Sequence, residues 1–129
     1  MKKILLLVLL GSLLLISCAK QNSKDFIGQD NPVQSGDIKE FKITAKQFAF
    51  EPGVIEVNKG DRVRLIVKSL DVPHGIGIPE YGINERLDPG KSVTIEFIAD
   101  KQGTFTTYCT VFCGSGHSNM KGKIIVKEK

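Results

Sequence analysis

The stretch Arg62-Val-Arg-Leu-Ile-Val67 places an aliphatic side chain at every second position. Val63, Leu65 and Val67 alternate with the other three residues, which is the period of a β-strand with one buried face and one wetted face. The same period recurs on both sides along the chain, at Phe41, Ile43 and Ala45 and at Val93, Ile95 and Phe97. The sequence therefore predicts several half-buried strands.

Turn-forming residues separate these predicted strands. Glycine, proline, aspartate and asparagine favour tight turns, and they cluster at 51–53, 58–61, 88–91 and 100–103. A short final strand is predicted over 122–127, and no segment has the 3.6-residue period of an amphipathic helix. The folded part is therefore predicted to be all-β, as an antiparallel β-sandwich of about 90 residues.

The first residues have the pattern of a bacterial export signal. Lys2 and Lys3 precede a largely apolar run of 13 residues at positions 4–16, whereas a membrane-spanning helix needs roughly 20. The run leads into Leu15-Ile-Ser-Cys18, which resembles a bacterial lipobox and implies cleavage before Cys18 and attachment of lipid to its sulfur. The alternative is an ordinary signal peptide that happens to contain a cysteine.

Residues 19–37 are polar and show no hydrophobic period. Such a segment cannot bury enough apolar surface to order itself. We therefore expect a lipoprotein signal peptide over 1–17, the lipidated Cys18 with a flexible tether over 18–37, and a folded domain over 38–129. The lipid would hold an exported protein at the outer face of the cytoplasmic membrane or in the periplasm.

The charge balance argues against a nucleic-acid partner. The chain has a formal net charge of +4, and removal of Lys2 and Lys3 leaves 16 basic against 14 acidic residues. It has no basic block with interleaved aromatic residues. Its three cysteines would ordinarily suggest a disulfide and one odd thiol in an exported protein, but two of them lie in a segment rich in other metal-binding groups.

That segment is Cys109-Thr-Val-Phe-Cys-Gly-Ser-Gly-His-Ser-Asn-Met120, with two thiols, an imidazole and a thioether in twelve positions. Such soft or borderline donors prefer thiophilic metals, copper above all. A second histidine lies upstream between two strands, in Asp71-Val-Pro-His-Gly75, and loops at one end of a sandwich converge. The sequence therefore predicts a copper site formed by His74, Cys109, Cys113, His117 and Met120.

Other interpretations of these residues stay open at this point. Taken singly, either histidine or Met120 is more often a core residue than a ligand. The two thiols could form a strained disulfide, or they could bind structural zinc with histidine, although zinc sites usually contain a Cys-x2-Cys pair. A mononuclear copper site needs one Cys, two His and a Met, which would leave Cys109 without a role.

The pattern Cys-x3-Cys-x3-His-x2-Met, with Asp-Val-x-His-Gly upstream, resembles the binuclear copper (CuA) site of heme-copper oxidase subunit II and of nitrous-oxide reductase. Further similar segments lie at 48–52, 55–57, 88–90 and 122–126, so the resemblance covers about residues 41–127. It implies a cupredoxin-like Greek-key β-sandwich.

The resemblance also implies how the donors divide between two copper ions. Cys109 and Cys113 would bridge both ions; one ion would add His74 and Met120, and the other His117 and the main-chain carbonyl of Val111. Bridging thiolates let the two ions share one unpaired electron, so that each bond changes little when an electron arrives. Two features differ from oxidase subunits: Val111 replaces an acidic magnesium ligand, and Phe48 or Phe50 would have to replace a tryptophan.

These observations predict an exported, membrane-tethered electron-transfer protein, with bond-making chemistry left to a partner. We expect a c-type cytochrome or small copper protein, and a terminal oxidase or reductase, as redox partners. Residues 103–119 carry no charged side chain, so an apolar surface around Phe105, Tyr108, Val111 and Phe112 is the predicted contact. The alternatives are a mononuclear copper protein, a copper-delivering or copper-buffering lipoprotein, and a structural module with Cys109 and Cys113 oxidised.

Overall fold

A computed structural model describes residues 38–129 of the protein, and these residues form nine strands with two short 3₁₀ turns. The strands are β1 Ile38–Lys46, β2 Ala49–Glu51, β3 Val54–Asn58, β4 Arg62–Ser69, β5 His74–Ile78, β6 Ile83–Leu87, β7 Ser92–Ile98, β8 Gly103–Tyr108 and β9 Lys121–Lys127, and the 3₁₀ turns are Pro79–Tyr81 and His117–Asn119. Within this part of the chain, no helix has the length and apolar character needed to cross a bilayer. The expected signal peptide, Cys18 lipidation and tether lie outside the described residues.

The strands form two sheets, ordered β2-β1-β4-β7 and β3-β9-β8-β5-β6. This confirms the all-β prediction, but the expectation of purely antiparallel sheets is wrong for two pairs. β1 pairs with β4 in parallel, and β3 pairs with β9 in parallel. Parallel neighbours cannot be joined by a hairpin and need a crossover, and here the chain passes to the other sheet between the two members of each pair.

The buried core lies between the two sheets and follows the predicted alternation. Val63, Leu65 and Val67 of β4 are fully buried, while Arg62, Arg64 and Ile66 between them are partly exposed. Burial of an aliphatic side chain of this size contributes about 1.5–3 kcal/mol. The second sheet contributes buried residues of the same kind, namely Ile55, Val57, Ile76, Ile78, Ile124 and Val126. This mainly aliphatic core fixes which face of each strand points into the sandwich.

One end of the sandwich collects all the predicted ligand residues. β8 ends at Tyr108 and β9 begins at Lys121. Residues 109–120, which we call the ligand loop, therefore connect two neighbouring strands of the same sheet. The Cys109 amide donates to the Met120 carbonyl at 3.1 Å and closes the base of the loop. His74 was expected between two strands, and it is in fact the first residue of β5.

Two glycines of β5 let the ligand loop lie directly on the sheet. A Cβ on Gly75 would come within 2.2 Å of Thr110 Oγ1, and a Cβ on Gly77 within 2.6 Å of Thr110 Cγ2. Thr110 in turn donates a hydrogen bond from Oγ1 to Asn84 Oδ1 at 2.7 Å, which ties the loop to β6. Because these two glycines have no side chains, the ligand loop can pack directly against β5.

We expect Gly77→Ala to destabilise the reduced, metal-free protein by about 1–3 kcal/mol, because the new methyl overlaps the Thr110 methyl. Thr110→Ser removes that methyl and retains the hydroxyl, so Gly77→Ala should have a much smaller effect in the Thr110→Ser background. Urea unfolding of the four proteins measures both changes. Equal destabilisation in the two backgrounds would show that close packing against Thr110 is not the cause.

Candidate metal centre

The fold brings together all five side chains that the sequence singled out. His74 starts β5, Cys109 follows β8 and Met120 precedes β9, so three donors are held by strand ends. Cys113 lies in the middle of the ligand loop, and His117 begins the 3₁₀ turn that closes it. His74, Cys109, Cys113 and Met120 are buried, whereas His117 is partly exposed.

Neighbouring donor atoms of these residues lie between 3.2 and 3.9 Å apart. Both thiols are free, with 3.7 Å between Cys109 Sγ and Cys113 Sγ. Cys109 Sγ is 3.8 Å from His74 Nδ1 and 3.2 Å from the Val111 carbonyl oxygen. Cys113 Sγ is 3.8 Å from His117 Nδ1 and 3.9 Å from Met120 Sδ. Each sulfur therefore has one imidazole nitrogen and one weaker donor beside it.

Asp71 orients the His74 ring from behind. His74 Nε2 is 2.7 Å from Asp71 Oδ1, and an ionised carboxylate can only accept a hydrogen bond. In the neutral ring, Nε2 therefore carries the proton and Nδ1 is left as the acceptor, 3.8 Å from Cys109 Sγ. A carboxylate behind a ligating histidine fixes the tautomer and makes the ring a better ligand.

Asp71 stays ionised because its hydrogen bonds outweigh its partial burial. Burial by itself raises the pKa of Asp71, but donation from the Gln47 amide, the His74 ring and the Val72 amide lowers the pKa below its ordinary value. The sequence places Asp71 in the same motif as His74, but no role was predicted for its carboxylate. A carboxylate three positions before a predicted histidine ligand was the available signal.

Burial also raises the pKa of the central thiol, Cys113, and here the net shift is upward. Burial, followed by the hydrogen bond with Cys109 and the charge of Cys109, raises the pKa of Cys113 to about 11. The Cys109 thiol is directed at the Val111 carbonyl oxygen, a donor that the resemblance assigned to metal. Because metals bind thiolates, these protons must leave when a metal is bound.

The surroundings of the loop differ in part from the expected apolar surface. Phe112 is 77% exposed and its ring centroid is 5.6 Å from that of His117. Tyr108 is also exposed. Phe105, in contrast, packs edge-on against Tyr81 at 5.5 Å and belongs to the packing of the sandwich. The exposed apolar surface beside the site therefore centres on Phe112.

The donor set fits copper better than the alternatives. It combines three sulfur atoms with two imidazoles and a carbonyl, and soft donors of this kind select copper, zinc or iron–sulfur clusters over magnesium or calcium. Structural zinc is held by four cysteine or histidine ligands, which would leave Met120 buried in the site without a function. Among the described residues, His74, Cys109 and Cys113 form a buried group whose ligand atoms all lie within 4.8 Å.

Comparison with known proteins identifies the class of this domain. The family model of the cupredoxin-like domain matches residues 6–126, and the chain belongs to that family. It is 39% identical over 90 residues to the nitrous-oxide reductase of Cupriavidus necator, covering 67% of this chain and 14% of the reductase. It is 35% identical over 86 residues to cytochrome c oxidase subunit 2 of Thermus thermophilus, covering 67% of this chain and 64% of the subunit.

A solved structure gives the same result. The chain superposes on a subunit of a heme-copper terminal oxidase dimer with a TM-score of 0.64 and 30% identity, covering 69% of this chain and 65% of that one. The resemblance predicted from the sequence is thus confirmed: this is a copper-binding cupredoxin domain homologous to oxidase subunit II and to nitrous-oxide reductase. It spans less than two thirds of the length of both curated relatives.

We expect copper binding to strengthen as the pH rises, because each thiol must lose a proton to bind. For every proton released, the apparent affinity should increase by about tenfold per pH unit below the thiol pKa. Calorimetry in buffers of different ionisation enthalpy counts the protons, and Cys113→Ser should release one fewer than the wild type. An affinity that does not change between about pH 6 and 8 would contradict this mechanism.

Proposed function

We propose that this domain is an exported electron-transfer protein that holds two copper ions in a CuA centre. The observation that carries the proposal is the pair of buried, unbonded thiols at 3.7 Å, each with its own imidazole nitrogen at 3.8 Å. A mononuclear blue copper site would use one thiol and leave Cys109 without a role. Two ions use both thiols and both histidines.

The ligands divide between the ions as the family resemblance suggests. His74 and Met120 would bind one ion, and His117 and the Val111 carbonyl the other, with Cys109 and Cys113 shared. The geometry is compatible with shared thiolates, because His74 and the Val111 carbonyl lie beside Cys109 while His117 and Met120 lie beside Cys113. In this division each ion would take one donor from beside Cys109 and one from beside Cys113, which suits two ions that share both thiolates. When bound, such a centre supplies one-electron redox chemistry.

The protein contributes rigidity and the exclusion of water. Strand ends hold His74, Cys109 and Met120, and the Asp71 carboxylate fixes the His74 ring. Four of the five side-chain donors are buried, so water cannot replace them easily. Ligands that are already in place need little movement when an electron arrives or leaves, which favours fast transfer.

The same burial weighs against a role in copper delivery, since a delivery protein needs exposed, exchangeable ligands. The exposed Phe112 beside His117 instead offers an uncharged contact for a redox partner, in an interface of the small, transient kind. We propose a c-type cytochrome or small copper protein on one side of the transfer and a terminal oxidase or reductase on the other. Lipid on Cys18 would tether the domain to the membrane.

Electron paramagnetic resonance of the copper-loaded protein tests the centre directly. We expect two copper ions per chain and a hyperfine pattern of one electron shared between two equivalent ions. Cys109→Ser should abolish that pattern because one bridge is lost, whereas Ser118→Ala, an exposed change in the same loop, should preserve it. One copper per chain with a narrow parallel hyperfine splitting would instead identify a mononuclear blue site.

The docking contact is tested by Phe112→Ser, with Ile98→Ser as the matched control. Ile98 is also exposed, but it lies at the opposite end of β7 from the ligand loop. Loss of a central aromatic contact typically weakens an interface by at least tenfold, so electron transfer from a reduced c-type cytochrome should slow by roughly that factor. The electron paramagnetic resonance signal should not change. If both variants slow the reaction equally in stopped-flow measurements, Phe112 is not the contact.

A further inference from the structure

Gln47 makes two hydrogen bonds that reach the metal centre from the other sheet. It follows β1 directly and lies in the two-residue turn that leads to β2. Its backbone N–H donates to Asp71 Oδ2 at 2.7 Å, and its side-chain Nε2–H donates to the Cys113 carbonyl oxygen at 2.6 Å. One residue of the four-stranded sheet thus contacts the support of one histidine ligand and the backbone of one cysteine ligand.

These two contacts join parts of the centre that are otherwise separate. Asp71 holds His74 through its other carboxylate oxygen, and His74 belongs to β5. Cys113 lies in the middle of the ligand loop, five residues beyond the end of β8 at Tyr108. A continuous path of hydrogen bonds therefore runs from the His74 ring through Asp71 and Gln47 to the Cys113 carbonyl.

The next residue, Phe48, supports the same part of the loop by packing. A Cβ on Gly116 would lie 2.4 Å from the Phe48 ring, and one on Gly114 would lie 3.0 Å from it. Gly114 also has φ = +134°, a conformation that other residues rarely adopt. The turn after Cys113 is thus pressed against Phe48 on one side and bonded to Gln47 beside it.

We propose that Gln47 is a positioning residue, whose side-chain amide fixes Cys113 and the following turn relative to His74. The part of this inference that concerns copper rests on the proposed function, but the ordering of the loop does not require metal. Residues that orient metal ligands from outside the coordination shell commonly change metal affinity by 10–100-fold when they are replaced.

The test compares Gln47→Leu with Gln102→Leu in the full chain. Leucine fills most of the same space, has neither a hydrogen-bond donor nor a metal-binding atom, and keeps the backbone bond to Asp71, so the donation to Cys113 is lost without a new copper ligand. Gln102 is an exposed glutamine in the turn before β8, at the far end of the sandwich. Gln47→Glu, which has no donor when ionised, is the second variant if Gln47→Leu folds poorly.

Hydrogen exchange in the metal-free, reduced protein measures the positioning. The His117, Asn119 and Met120 amides donate within the turn, to Gly114, Gly116 and His117 carbonyls respectively. Loss of one part-buried hydrogen bond should speed exchange at these amides by about fivefold. The Asp61 amide, which donates to Asn58 at the far end, is the internal reference and should not change.

Copper-loaded protein gives the second measurement. We expect Gln47→Leu to lose 10–100-fold in copper affinity by chelator competition and to show unequal hyperfine coupling at the two ions, while Gln102→Leu behaves as the wild type. Unchanged turn amides, or acceleration that includes Asp61 equally, would overturn the proposal. If the wild type binds fewer than two copper ions, the proposed function fails, and the exchange rates still decide the role of Gln47.

Discussion

The pairing of β8 with β9 is the interaction on which the whole centre depends. These neighbouring strands end side by side, and the Cys109 amide bonds the Met120 carbonyl across the base of the loop. A twelve-residue segment is therefore closed at both ends by one sheet, and its donors are confined to a small volume. The close contact of Thr110 with the glycines of β5 then holds the loop against the strand that carries His74.

Burial raises the pKa of two ionisable groups of the site, but the net shift differs between them. It raises the pKa of the Cys113 thiol, so the metal-free protein keeps a proton that the metal must replace. Asp71 is only partly shielded from solvent, and hydrogen bonds from its neighbours keep that carboxylate charged and the His74 tautomer fixed. In the metal-free protein the His74 ring is therefore already oriented as a ligand, whereas Cys113 must lose a proton before it can bind metal.

The fold could be predicted from the sequence where the signal was local. Alternation in β4 and β7 gave the buried faces correctly, because the period of a strand depends only on its own residues. The direction of pairing was a different matter, and the parallel pairs β1–β4 and β3–β9 were missed. Which strands become neighbours depends on how the chain crosses between sheets, and no short stretch of sequence records that.

The same division applies to the candidate site. The kinds and spacing of Cys109, Cys113, His117 and Met120 were fixed by sequence, since one short loop contains all four, and they sufficed to indicate copper. His74 lies 35 positions from Cys109, and the tertiary structure brought it into contact, along with Asp71 behind it and Gln47 from the opposite sheet. These contacts are between segments distant in the chain, so their partners exist only once the two sheets have packed together.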